Sequence, residues 1–228
     1  MSTFPRMILH PGKEQALLRQ HPWVFSGAIA LADEEAKPGD LVEVQASDRK
    51  VLGYGFYEEG SIAVKMCSFR DVPEGNEFWR GLFRKAFEMR KALGYTCGSG
   101  HNAYRLFHSE SDSIPGLVAD YYKGVLVLQA QTPGAWKRLG LFASILGEVI
   151  TDPLHAVYAK PAEYMRRTGG GGEHTEGFLF GNSDPVEVEE NGCHFEVDFV
   201  NGQKTGFFLD QKLRSEERRV GKECRSRW

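Results

Sequence analysis

The chain has 228 residues, a mass of 25.6 kDa and a formal net charge of −3. At 41% hydrophobic and 26% charged residues, its composition is that of a soluble globular protein. It excludes a wholly disordered chain, a collagen-like repeat and a bundle of membrane helices. The first twenty residues hold no apolar core of signal-peptide length, which predicts a cytoplasmic protein, and a pI near 6.2 leaves any nucleic-acid affinity to a local patch.

Residues 1–72 read as a small β-barrel. Pro11-Gly12 precedes a short helix over Lys13–Gln20, which His21-Pro22 ends. Strands follow at Leu41–Ala46, Val51–Phe56 and Ile62–Met66, the last two joined by a Glu58-Glu59-Gly60 turn. Short strands joined by glycine turns with one helix among them suit a barrel. Arg6, His10, Lys13, Arg19 and His21 form the most basic patch ahead of the C-terminal stretch, and Trp23 and Phe25 alternate beside it. Cations with exposed aromatics suit a phosphate backbone and unstacked bases. Taken alone, the two aromatics read better as barrel core.

Residues 73–180 read as a compact α+β domain. Helical spacing over Glu77–Leu93 puts Phe78, Leu82, Ala86, Met89 and Leu93 on one face, with Arg80, Arg84 and Lys91 opposite. Strands are expected at Tyr104–His108, Leu117–Tyr122 and Val125–Leu128, with Lys123-Gly124 as the hairpin turn between the last two. A second helix over Trp136–Ile150 buries Trp136, Leu139, Phe142, Ile145, Leu146 and Val149, and a strand follows at Ala156–Ala159. Glu110 and Asp112 could form an acid–base pair, but their place beside Pro115-Gly116 favours turn and capping use.

The glycine run Gly169–Gly172 has no helix pattern after it to supply a positive end, so it reads as a disordered surface loop rather than a phosphate cradle. Cys67, Cys97, Cys193 and Cys224 form no C-x-x-C, and no metal site is expected. Cys97 and His101 enclose three small residues and read as a loop.

From Gly181, a strand at Val186–Glu189, an Asn191-Gly192 turn and alternating Cys193, Phe195, Val197 and Phe199 predict a hairpin. The chain then enters QKTGFFLDQ, where Phe207 and Phe208 could enclose a flat ring while Asp210 and Gln211 offer acceptor and donor groups. Residues 213–228 carry six basic against three acidic residues and almost nothing apolar. They read as a non-native tail.

Four segments together resemble the large-subunit ribosomal RNA cytosine-C5 methyltransferases that carry an N-terminal PUA domain. They are HPWVFSGAI (21–29), GDLVEVQASDRKVLGYGFYEEGSIAVKM (39–66), YRLFHSESDSIPGLVADYYKGVLVLQ (104–129) and ENGCHFEVDFVNGQKTGFFLDQ (190–211). Ser109 stands where the family pattern has glycine, and the Gly169–Gly172 run is unusual for it.

The resemblance implies an α+β multidomain chain. A PUA-like RNA-binding barrel would occupy 1–72, a central domain 73–180, and the opening hairpin of a Rossmann-like methyltransferase domain 181–212. It implies S-adenosylmethionine as methyl donor, ribosomal RNA as partner, and a donor pocket to which Lys204, Thr205, Gly206, Phe207, Phe208, Asp210 and Gln211 contribute. RNA contact is expected at Arg6, Lys13, Arg19, His21 and Trp23. The family's N-x-F-x-Y-T-G-like loop, Pro-Pro motif and catalytic cysteine are not found after Gln211. The chain is therefore read as an N-terminal fragment inactive by itself, with no catalytic residue and with hairpin surface left uncovered. The alternative is a stand-alone PUA-type RNA-binding module.

Overall fold

The computed structural model describes residues 4–97, 101–162, 176–190 and 192–211. The Gly169–Gly172 run, most of the Cys97–His101 loop and the 213–228 stretch lie outside the described residues.

Six strands form the first sheet: β1 (Arg6–Leu9), β2 (Trp23–Phe25), β3 (Ile29–Ala32), β4 (Leu41–Gln45), β5 (Val51–Tyr57) and β6 (Ile62–Ser68), in the order β2-β6-β5-β4-β1-β3. Residues 23–32 close it. Their β2 end pairs with β6 at one edge and their β3 end pairs with β1 at the other, bridged by a 3-10 turn at Ser26–Ala28. One bent segment thus serves both edges of the sheet. Met7, Leu9, Val24, Val42, Val44 and Val64 fill the interior, and the short helix α1 (Gln15–Leu18) adds Leu17.

The strands expected at Leu41, Val51 and Ile62 are present. The sequence reading missed β1, β2 and β3, which are three or four residues long and sit beside Pro5, Pro22 and Gly27. Trp23 and Phe25 are exposed, at 37% and 51%, and Val24 is buried between them. The expectation that these aromatics are core is therefore corrected. Strand alternation sends one set inward, and Val24 is that set.

The second sheet runs β11-β10-β9-β8-β7, from β7 (Ala103–His108), β8 (Leu117–Tyr122), β9 (Val125–Ala130), β10 (Ala156–Pro161) and β11 (Gly177–Phe180). β7, β8 and β9 are successive antiparallel strands. β9 and β10 are parallel, so the chain crosses between them through α3 (Pro133–Trp136) and α4 (Leu139–Val149). Thr132 caps α3 by accepting the Ala135 N–H, with Pro133 in the first turn.

Helix α2 (Gly75–Ala92) packs beside α4 on one face of this sheet. Its buried residues are Trp79, Phe83, Ala86 and Phe87, whereas Met89 and Leu93 are 45% and 62% exposed. Of the expected stripe, Ala86 is buried and Phe78 and Leu82 pack partly buried against the same core, while the most buried line is turned toward Trp79, Phe83 and Phe87. Both stripes have helical spacing and share Ala86. The larger aromatics decide it, because Phe83 and Trp79 each meet the Phe142 ring at 5.4 Å.

The same core reaches into the barrel. Leu41, Phe56 and Cys67 are buried with the α2 and α4 side chains, and the Arg138 guanidinium lies 4.8 Å over the Phe56 ring.

Strands β12 (Val186–Glu190) and β13 (Cys193–Val197) form the expected hairpin. It is not left uncovered on its inner face: Val188, Val197 and Phe199 are buried against Tyr122, Val125, Val127 and Ala156 of the second sheet.

Candidate functional site

The second sheet is buried on both faces, but the two faces differ in chemistry. Toward α2 and α4 it presents Leu106, Leu117, Ala119, Leu126, Leu128 and Val157. The opposite face reads as three cross-strand rows. The row under the hairpin is Ala103, Tyr122, Val125 and Ala156; the next is Arg105, Asp120, Val127 and Tyr158; the last is His108, Val118, Gln129 and Lys160. The row under the hairpin carries no charge, and the two rows beyond it hold Arg105, Asp120 and Lys160.

The residues after β13 fold over these polar rows. Asp120 is fully buried. Its two oxygens receive the Arg105 guanidinium at 2.8 and 2.9 Å, a bidentate pair, and Asp120 also accepts the Thr205 hydroxyl at 2.6 Å. That proton being committed, Tyr122 donates its own hydroxyl to Thr205, at 3.0 Å. Burial first, then the Asp120 charge, pushes the Tyr122 phenol up, so it stays a donor. The hydrogen bond with Asp120 raises Arg105 further.

Lys160 is also buried, and its ammonium donates to the carbonyls of Phe199, Val200 and Gly202 at 2.8, 3.2 and 2.6 Å. Two strand residues thus hold both ends of one turn of chain. Gly206 lies within it at φ +114°, and a Cβ there would come 2.8 Å from the Phe199 Cα. Only glycine allows that backbone approach.

Between this turn and the outer rows lies an open cleft of about 1190 Å³. Of the residues expected to form a donor pocket, Lys204, Phe207, Phe208 and Asp210 line it. The Lys204 ammonium sits 4.8 Å over the Phe208 ring, and Phe207 packs on Phe195 with ring centroids 5.2 Å apart. Thr205 and Gly206 instead face the protein, as the anchor and the close-approach point. Gln211 supplies backbone to a 3-10 turn over Leu209–Gln211. The sequence reading missed Arg105, Asp120, Gln129 and Lys160. The available signal was a lone polar residue at an alternate position of an apolar strand, as in LVADYY.

The expected RNA-contacting residues do not all share one environment. His21 and Trp23 form a unit: the Trp23 N–H donates to His21 Nδ1 at 3.2 Å, and the rings meet edge to face at 5.9 Å. Lys13 and Arg19 are exposed on the same stretch. Arg6, on β1, is engaged by Asp33 through its Nε at 3.0 Å.

The Trp23 indole donates to Glu110 at 3.2 Å, which ties the barrel to the loop after β7. Burial acts to raise the Glu110 carboxyl, but bonds from the Ser109 hydroxyl, its own backbone and Trp23 outweigh it and hold it low. Asp112 pairs with Arg90 at 2.7 and 2.8 Å and accepts the His108 N–H. Both acids are thus structural. Ser109 has φ +49°, a conformation suited to the glycine of the family pattern; its hydroxyl accepts the Gly116 N–H at 2.8 Å.

Among the described residues no group of three or more His, Cys, Asp or Glu is placed to hold a metal, and no helix is long and apolar enough to cross a membrane.

These features define a PUA-like domain joined to an α+β sheet that clamps a glycine turn. Residues 7–69 match the family of PUA-like domains. The chain is similar over 91% of its length to proteins named ribosomal RNA large subunit methyltransferase I, at 34% identity for those of Pseudoalteromonas atlantica and Shigella dysenteriae. It spans about half of those curated relatives, 52% of each. The resemblance drawn from the four sequence segments is borne out by these relatives. Among solved structures, a Streptococcus mutans protein assigned as a SAM-dependent methyltransferase superposes over 93% of this chain and 53% of its own, at TM-score 0.74 and 20% identity. A second, crystallised with SAH, gives 0.74 and 19%. At these identities the structures speak for the fold.

Proposed function

We propose that this chain is the RNA-binding and donor-segment portion of an S-adenosylmethionine-dependent methyltransferase that acts on cytosine C5 of large-subunit ribosomal RNA. The similarity over nearly the whole chain to proteins named ribosomal RNA large subunit methyltransferase I supports the methyl-transfer reading, and cytosine C5 is what the family resemblance implies. On it, residues 1–72 form the RNA-binding barrel, 73–180 the central domain and 181–212 the opening of the catalytic domain.

Lys13, Arg19, His21 and Trp23 present cations and an aromatic face to RNA, with Arg6 held beside Asp33. The donor segment runs from Lys204 to Gln211. Its exposed residues suit S-adenosylmethionine: Phe208 offers a ring face and Asp210 an acceptor, while Thr205 and Gly206 fix the turn that carries them. When bound, the donor supplies an electrophilic methyl group.

No catalytic residue is assigned to this chain. A C5 methylation calls for a thiolate nucleophile, and burial pushes the thiols of Cys67 and Cys97 up, away from the thiolate form. This chain by itself is expected to be inactive.

The test is methyl transfer from labelled donor to protein-free large-subunit RNA, using the gene product that contains this chain. Label on cytosine C5 supports the reading. RNA binding that falls steeply with salt, without any label, would instead favour a stand-alone RNA-binding module. Trp23→Ala should weaken RNA binding by about 1–3 kcal/mol, the range for loss of a stacked base, as measured by fluorescence anisotropy.

A further inference from the structure

Gln129 stands out on the floor of the cleft. It is 7% exposed, lines the cavity, and its amide makes no hydrogen bond among the described residues. That amide is not sealed from solvent: it meets the water of the open cleft and can exchange it for a group that enters. Its row neighbour Lys160 is committed to three backbone carbonyls. Arg105 is committed to Asp120, and Lys204 lies against the Phe208 ring. The cleft therefore keeps its cations engaged and its amide open.

That distribution disfavours an anion as the group received at the floor and suits a neutral, flat, hydrogen-bonding one. A primary amide offers a donor and an acceptor side by side, the complement of the edge of a nucleobase. Phe208, 41% exposed at the rim, supplies an aromatic surface of the kind on which bases stack.

We infer that the cleft receives a nucleobase whose edge is read by the side-chain amide of Gln129. The inference rests on the methyl-transfer reading for the use of the cleft, and deepens it by naming the group received and the residue that reads it. The base has two possible sources, a nucleotide of the RNA or the adenosine of the methyl donor. Only the RNA carries pyrimidines.

The experiment is a titration of the isotope-labelled chain with cytidine monophosphate, adenosine monophosphate and S-adenosylhomocysteine in turn, following the Gln129 side-chain NH₂ resonances. Gln129→Met, which keeps the length and removes the amide, is titrated in parallel. The expected result is a saturable shift of the Gln129 resonances and a roughly fivefold or greater loss of affinity in Gln129→Met, with an unchanged thermal midpoint; a loss of about fivefold is the low end for a bidentate base contact.

A response to cytidine monophosphate assigns the base to RNA. A response to S-adenosylhomocysteine and adenosine monophosphate alone assigns it to the donor. No shift of the Gln129 resonances with any of the three, or equal affinity of wild type and Gln129→Met, overturns the inference. Should Gln129→Met fail to fold, the wild-type resonances still decide it. Gln129-dependent binding, with no methyl transfer by the gene product that contains this chain, would sink the methyl-transfer reading and leave this one standing.

Discussion

The two faces of the second sheet are built by the same strands and buried to similar depth, yet they are held by different forces. The face under α2 and α4 is closed by apolar and aromatic packing, which is non-directional and tolerates small shifts. The other face, beyond the hairpin, is closed by Asp120 and Lys160, each of which engages several partners at defined distances. Packing gives bulk stability to a fold. Charged hydrogen bonds give position to a particular turn, because each carbonyl or hydroxyl must meet its own partner. The turn so positioned is the one that carries Lys204, Phe207, Phe208 and Asp210 to the cleft.

The comparison can be broken by substitutions on each face. The largest effect is expected from Asp120→Ala, which strands the Arg105 charge and the Thr205 hydroxyl. Loss of one partner of a buried pair costs about 3–5 kcal/mol, measurable by urea unfolding. Amide exchange at 199–210 should rise more than elsewhere; uniform acceleration would mean that Asp120 serves general stability.

Leu128→Ala, on the packed face, should cost about 2–5 kcal/mol, but with protection at 199–210 falling only in step with the rest of the protein. Lys160→Met comes next. It removes the donor to three carbonyls, and about 1–3 kcal/mol is expected, together with faster tryptic cleavage after Lys204. Cleavage at the wild-type rate would show that the turn holds without Lys160.

The smallest effect sharpens the contrast from outside both faces. The folded Glu110 carboxyl is held below its ordinary value near 4.5. Its contribution is therefore fully present above that value and is lost as pH falls through the lower folded one. Trp23 fluorescence should change in that acidic window, and Glu110→Gln should flatten the response. A wild-type profile in Glu110→Gln would show that another group reports there.

The sequence was legible where a pattern repeats over several residues. β4 to β6, the Lys123-Gly124 turn, α4 and the hairpin of β12 and β13 all carry periods long enough to read. In α2 two periods overlap on Ala86, so spacing alone could not choose the buried one. β2 was hidden because three residues hold no period at all, and its outward Trp23 and Phe25 look like core until Val24 is seen to be the inward residue. At the site, the segment Lys204–Gln211 was singled out from its residue types. What each residue does there was not, since only the path of the backbone buries Thr205 and leaves Phe208 at the rim.

The sequence alone determined the longer strand and helix segments, the hairpin at β12 and β13 and the resemblance carried by the four segments, because these rest on residues near one another along the chain. The tertiary structure decided which face of each strand meets which partner. Asp120 and Thr205 are 85 residues apart, and Lys160 and Gly202 are 42 apart. The depth of Gln129, too, exists only once the sheet is paired and the chain after β13 has folded back over it. A charge in an apolar strand costs free energy until its partner arrives from elsewhere, and no local pattern can say where that partner lies.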